Sequence, residues 1–197
     1  MLLLIGGPPR VGKSTLAWML LERDGIPGCP TDALVSMLGQ AAPEHGVRHG
    51  MHPDKAESAQ PFLLAFLEAI ADGLDHEADP PDCYVVEGDV VTPAVVGSAA
   101  ALGLPVAAVF VGNTGMTPEL LRTAPHWLDG EDDATYRQVA SWVKDQSAAL
   151  RDACAAAGLP YVDLSTGFDA GLEDAYTTLL GQIRAGSPAV GAGDIDE

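Results

Sequence analysis

Positive charge is scarce in this sequence: 10 Lys and Arg stand against 28 Asp and Glu, for a net charge of −18. A field of that sign repels phosphate backbones, which argues against a nucleic-acid partner. It also makes every cation informative. A protein handling an anionic ligand must draw on Arg10, Lys13, Arg23, Arg48, Lys55, Arg122, Arg137, Lys144, Arg151 and Arg184. Cysteine is sparse as well. Cys29, Cys83 and Cys154 are odd in number and form no CxxC pair, which argues against a disulfide framework and fits a reducing cytoplasm. No apolar run has membrane-spanning length, so no membrane partner is expected. The opening MLLLIGG lacks a basic n-region and a cleavage site and does not read as a signal peptide.

What is present is a globular composition, 47% hydrophobic over 197 residues. That supports one good core and a small lid rather than two full domains. The apolar run Leu2 to Ile5 ends in glycines and reads as a buried first strand. Lys13 to Arg23 follows as a helix, stopped by Gly25 and Pro27. A second strand near Ile26 to Pro30 is weakly signalled, and Asp32 is placed to cap a helix through Leu38. Residues 40–54 are polar and turn-rich. A helix is expected over 56–74, with Leu63, Phe66, Leu67, Ile70 and Leu74 on one face. ADPPD, residues 78–82, connects it to a buried strand, Cys83 to Glu87.

A helix from Thr92 to Leu102 and a strand from Pro105 to Val111 come next. Residues 112–130 form a long segment without a clear element. Ala134 to Ala157 reads as a long helix with Val139, Trp142, Val143, Leu150 and Cys154 on its stripe. The acidic DGEDD run before it suits the helix dipole. A last strand over Pro160 to Leu164, a helix to about Arg184 and a disordered tail over 186–197 complete the reading. Continuous apolar strands alternating with helices predict an α/β fold with a parallel sheet covered on both faces.

The motif with the sharpest chemistry is GGPPRVGKST. Gly7-Pro8-Pro9-Arg10-Val11-Gly12-Lys13-Ser14 fits G-x-x-x-x-G-K-[ST], with a strand before it and a helix after it. Its glycines let successive backbone N–H groups point at one anion, and the helix N-terminus adds favourable potential. Lys13 is expected at the β- and γ-phosphates, Ser14 on Mg²⁺ and Thr15 near the α-phosphate. Arg10 either touches phosphate or points to solvent.

At these residues the chain resembles the small P-loop kinases of the adenylate and shikimate kinase type, over roughly residues 1–185. Within that group it looks most like the branch of 2-phosphoglycerate kinase-like, zeta-toxin-like and chloramphenicol phosphotransferase-like proteins. The cradle carries the resemblance together with PTDALVSML, residues 30–38, and VVEGDVVTP, residues 85–93. The resemblance implies a P-loop three-layer α/β/α sandwich around a five-stranded parallel sheet of order 2-3-1-4-5. It also implies a substrate segment over about 34–76 and a lid over about 113–133. ATP and Mg²⁺ are the implied cofactors. Asp32 would be the base that takes the acceptor's hydroxyl proton, and Glu87 would sit near Mg²⁺. Arg122, and with it Arg137, would fold onto the phosphates, while the nucleotide base would pack near Ser165 to Phe168. The sequence departs from the pattern after Asp32, where Leu34, Val35 and Ser36 replace a usual basic residue, and its lid carries a single Arg.

Several assignments stay open at this stage. Asp32 is a catalytic base or a helix cap. Glu87 is a metal-side carboxylate or a strand-end acid, and Asp89 is a candidate for acceptor or metal contact. Arg48 and Lys55 are candidate substrate cations. His45, His49 and His52 lie close together in sequence, although a flexible segment does not enforce metal-ligand geometry. Trp127 and His126 either stack on a ligand or anchor the lid; Trp142 reads as core. The leading function is an ATP-dependent phosphotransferase acting on a small-molecule hydroxyl. The alternatives are a nucleoside or nucleotide kinase, and a nucleotide-binding regulator or weak NTPase. VGNTGM, residues 111–116, carries no N-K-x-D motif, which disfavours a GTPase.

Overall fold

The computed structural model describes residues 1–52, 54–75, 78, 82–124 and 126–186. Five parallel strands form one sheet of order β2-β3-β1-β4-β5. They are β1 (Leu2–Gly6), β2 (Gly28–Pro30), β3 (Tyr84–Gly88), β4 (Val106–Gly112) and β5 (Tyr161–Asp163). β1 lies at the centre, with Leu4 opposite Val86 of β3 and Ala108 of β4. Every β1 side chain is buried, as expected of a strand covered on both faces.

Strand alternation divides the core in two. Leu3 and Ile5 point into one apolar layer, where they pack with Leu16 and Leu20 of α1 (Lys13–Asp24). Val139 and Val143 of α6 (Asp133–Ala157) and Leu172 and Leu179 of α7 (Phe168–Gly186) complete it. Leu2 and Leu4 point into the opposite layer, covered by α2 (Asp32–Ala41), α3 (Lys55–Asp72) and α4 (Pro93–Ala101). Both layers close at the carboxyl end of the sheet, where the turns after β1, β2 and β3 meet. Ligand crevices of open α/β sheets lie at that end.

Several boundaries differ from the sequence expectation. Thr31, not Asp32, occupies the cap position of α2, and no side-chain capping bond is made there. α2 also runs to Ala41 rather than stopping at Leu38. α3 ends at Asp72, so Leu74 lies beyond it, and its buried face is Ala59, Leu63, Leu67 and Ala71. β2 is only three residues long. The segment expected to lack a clear element contains a short helix, α5 (Pro118–Arg122), capped by Thr117. At α6 the acidic run does more than complement the dipole: the Asp132 carboxylate accepts the Thr135 N–H at 2.8 Å. Most of the 78–82 connector and nearly all of the 186–197 tail lie outside the described residues.

Candidate active site

The cradle is built by a strand that must turn straight into a helix. Gly12 stands at the N-cap of α1 with φ 106°, a conformation that disfavours side chains. A Cβ there would lie 2.9 Å from the Phe168 ring, and one on Gly7 would lie 2.2 Å from the Val111 carbonyl oxygen. Gly7 therefore needs glycine for space, against a backbone that cannot yield, and Gly12 needs it for its φ. Arg10 shares the loop's positive φ, at 69°. Its Nε is buried with no protein partner, and burial lowers the guanidinium's pKa, with Tyr136 opposing. A strained backbone and an orphaned donor inside an anion-binding loop fit a phosphate group.

Lys13 is buried, and its Nζ donates to the Pro8 carbonyl at 2.9 Å. Burial pulls its pKa down, while Glu87, Asp89 and Asp32 push it back up. A buried ammonium held at the cradle by a backbone carbonyl is placed to meet a polyphosphate. Ser14 Oγ donates to Glu87 Oε1 at 2.8 Å. A hydroxyl and a carboxylate in contact beside the cradle are hard oxygen donors, and they fit Mg²⁺. That ion is held through one or two protein oxygens, the rest of its shell being water and phosphate. No group of three or more His, Cys, Asp or Glu is arranged for a metal among the described residues. The three neighbouring histidines diverge: His45 packs on Phe62, His49 Nε2 on Ser36 Oγ, and His52 Nε2 on Arg48 Nε.

Arg10, Gly12, Lys13, Ser14 and Glu87 line one cavity of about 880 Å³. Its floor is the cradle, including Pro9 and Thr15, while Asp32, Glu87 and Asp89 form one wall and Trp127 and Phe168 another. Val11 faces the core, so only its backbone belongs to the cradle. Asp32 is exposed, with His49 Nδ1 at 4.0 Å. Phe168 and Trp127 are both partly exposed, at 45% and 57%, which leaves apolar ring surface for a planar ligand.

Asp163, at the end of β5, fixes the neighbouring turns. It accepts from Thr114 N at 3.2 Å and Ser165 N at 3.0 Å, and from the Thr114 hydroxyl. Burial alone would raise its carboxyl, but these hydrogen bonds outweigh that effect and hold it below the ordinary value.

A second cavity, about 660 Å³, opens on the Gly7–Pro8 side of the cradle and meets the first at Asp89. Residues 50–52, 55–56 and 91–94 line it together with the α6 side chains Trp142 and Gln146. Lys55 and Asp89 form an ion pair here, Nζ to Oδ2 2.8 Å and to Oδ1 3.0 Å, with Lys55 8% and Asp89 17% exposed. The sequence named both residues but gave no sign that they would meet. Trp142, read there as core, is half-buried and borders this space.

Arg48 and Arg122 line neither cavity. Arg122 bonds to Asp133 and lies over the Tyr136 ring at 4.5 Å. Asn113 was not singled out by the sequence. It is buried, borders the first cavity, and accepts the Gly115 N–H at 3.0 Å.

Comparison with solved structures finds the same fold. A gluconokinase from Sinorhizobium meliloti 1021 aligns over 93% of this chain and 93% of its own, at 19% identity and TM-score 0.58. A shikimate kinase from Bacteroides thetaiotaomicron aligns over 93% of this chain and 98% of its own, at 13% identity and TM-score 0.56. The chain has the P-loop kinase α/β fold. No protein-family model matches it, and no curated protein matches it. No helix among the described residues is long and apolar enough to cross a membrane.

Proposed function

We propose that the chain is a cytoplasmic, ATP-dependent phosphotransferase that moves the γ-phosphoryl group to a hydroxyl of a small molecule, with Mg²⁺. The observation that carries this reading is the Ser14–Glu87 contact beside the buried Lys13. A cradle, a cation and a hard-oxygen pair on one wall are the parts phosphoryl transfer needs. The segments PTDALVSML and VVEGDVVTP support the 2-phosphoglycerate kinase-like branch within that group.

The chain's own residues have distinct tasks. The backbone N–H groups of 7–14 hold the phosphates, and Lys13 neutralises charge at their far end. Ser14 and Glu87 would hold Mg²⁺, which when bound screens charge on the phosphates. Asp32 is free of capping duty and faces the cavity. It accepts the proton of the acceptor hydroxyl while the acceptor oxygen bonds to the γ-phosphorus; the bond to the β–γ bridging oxygen breaks, and ADP leaves. Residues 113–133 act as a lid, with Trp127 and Phe168 enclosing the base.

The test is transfer of label from γ-labelled ATP into a panel of hydroxyl metabolites, by wild type, Asp32→Asn and Lys13→Ala. A labelled organic product lost in both variants supports the reading. Label appearing only in free phosphate, with Asp32→Asn equal to wild type, overturns it in favour of an NTPase.

A further inference from the structure

The second cavity carries an inference about the acceptor, resting on the kinase reading above. It touches the cradle at Gly7 and Pro8, and the carbonyl of Pro8 is the group that holds Lys13 Nζ. A molecule seated there reaches the end of a phosphate chain held by Lys13. It is also of a size typical of small-molecule sites, about 660 Å³.

Its electrostatics are unusual for a protein that binds an anion on one side. Among the described residues, the oppositely charged side chains lining it are Lys55 and Asp89, and they are spent on each other through both carboxylate oxygens. The ring of His52 receives the Arg48 Nε–H on its Nε2 at 3.1 Å. Much of the remaining wall is apolar, including Met51, Val91, Trp142 and Leu150, with Gln146 adding neutral hydrogen-bonding groups. Asp32, 70% exposed with His49 Nδ1 at 4.0 Å, and the net charge of −18 bias the surroundings against anions. Among the described residues lining this cavity, the one Lys or Arg that a carboxylate or phosphate meets is Lys55, already paired with Asp89; Arg48, bonded to His52, lines neither cavity.

We propose that this cavity binds the body of the acceptor, its hydroxyl passing Asp89, where the two cavities meet, to reach Asp32 in the first, that the acceptor is an uncharged hydroxylated molecule with an apolar face, and that Asp89 sets this preference by occupying Lys55. Asp89 is thus a specificity-determining residue: removing its charge frees the ammonium and opens the site to anionic acceptors.

The chain has three tryptophans, so Trp18→Phe with Trp127→Phe leaves Trp142 as a fluorescent reporter inside the cavity, and Trp142→Phe supplies the blank. Matched pairs are titrated: shikimate and its methyl ester, gluconate and glucitol, hydroxymethyl-cyclohexanecarboxylate and its methyl ester. In the otherwise wild-type protein at least one neutral member should perturb Trp142 at a concentration at least about tenfold below its anionic partner. In Asp89→Asn the ratio should collapse or invert. A second variant, Lys55→Gln with Asp89→Asn, removes both charges without leaving either buried alone and should keep the neutral preference. The proposal is overturned by an anionic member binding as well as its neutral partner in the wild type. An unchanged ratio in Asp89→Asn, an inverted ratio in the double variant, or silence of every probe would also overturn it. Label transfer from γ-labelled ATP, run in parallel, separates the two levels. Transfer into an anionic acceptor sinks the neutral-acceptor inference and leaves the kinase. Release of free phosphate alone sinks the kinase reading, whatever Trp142 reports.

Discussion

Asp32, Glu87 and Gly12 differ in how much of the fold depends on them, and their substitutions should separate accordingly. Asp32 is exposed and caps nothing. Asp32→Asn should therefore melt with the wild type while kcat falls by ~10²- to 10⁴-fold, the usual contribution of a general base. Glu87→Gln keeps an acceptor for the Ser14 hydroxyl but loses the charge. Its activity should need a higher Mg²⁺ concentration, read from a metal titration at saturating ATP. Gly12→Ala meets both a positive φ of 106° and the Phe168 ring at 2.9 Å. It should cost more than about 1 kcal/mol in denaturant unfolding, beyond the usual penalty of an incompatible backbone. Asp163 adds a pH dependence. Its carboxyl is held low in the folded protein, so its contribution is fully present above the ordinary carboxylate range and disappears as pH falls through the folded value. The stability gap between wild type and Asp163→Asn should narrow during acid titration below about pH 4.

Between elements, α5 and α6 are tied by Arg122, which reaches from one to Asp133 and Tyr136 of the other. The same side chain is the lid's one arginine, and phosphate contact requires it to leave Asp133. Asp133→Asn weakens that competing partner while Asp132 still caps the helix. Apparent ATP affinity should rise, by no more than about fivefold because the pair is exposed, and calorimetric titration with a non-hydrolysable analogue would show it. The elements themselves were unequally legible. β1 with the cradle is a contiguous motif, and α6 shows a long apolar period, so both were readable. β2 is three half-exposed edge residues, GCP, with too little pattern to mark it. α5 spans five residues, shorter than two turns, and has no periodicity to find. The Lys55–Asp89 pair lies outside the reach of any local signal, since its members are 34 positions apart and meet only because α3 and β3 flank the same crevice. Trp142 packs against the core as its stripe suggested, and its border on the second cavity was hidden for a related reason: the α6 stripe is wide enough to serve the core on one side and the cavity on the other.

For the molecule as a whole the dominant fact is −18 charges on a small body. They repel one another and repel an incoming nucleotide polyanion, and salt screens both effects. Raising ionic strength from ~0.01 M, where the Debye length is about 30 Å, to ~0.15 M, where it is about 8 Å, should therefore raise the melting temperature. It should also speed ATP association in stopped-flow, the opposite of the salt response of a basic nucleotide-binding protein.

The central position of β1 has a consequence for how the chain is made. Its partners are β3 and β4, which emerge from the ribosome long after it does. At ~5–20 residues per second, the roughly eighty residues separating β1 from β3 take on the order of 4–16 s to synthesise. For that interval the sticky segment LLLI has neither neighbour to pair with, and β2, the only strand made in between, sits at the sheet's far edge. Nascent chains paused before residue 88, the end of β3, are the form of this protein most exposed to chaperone capture and to aggregation.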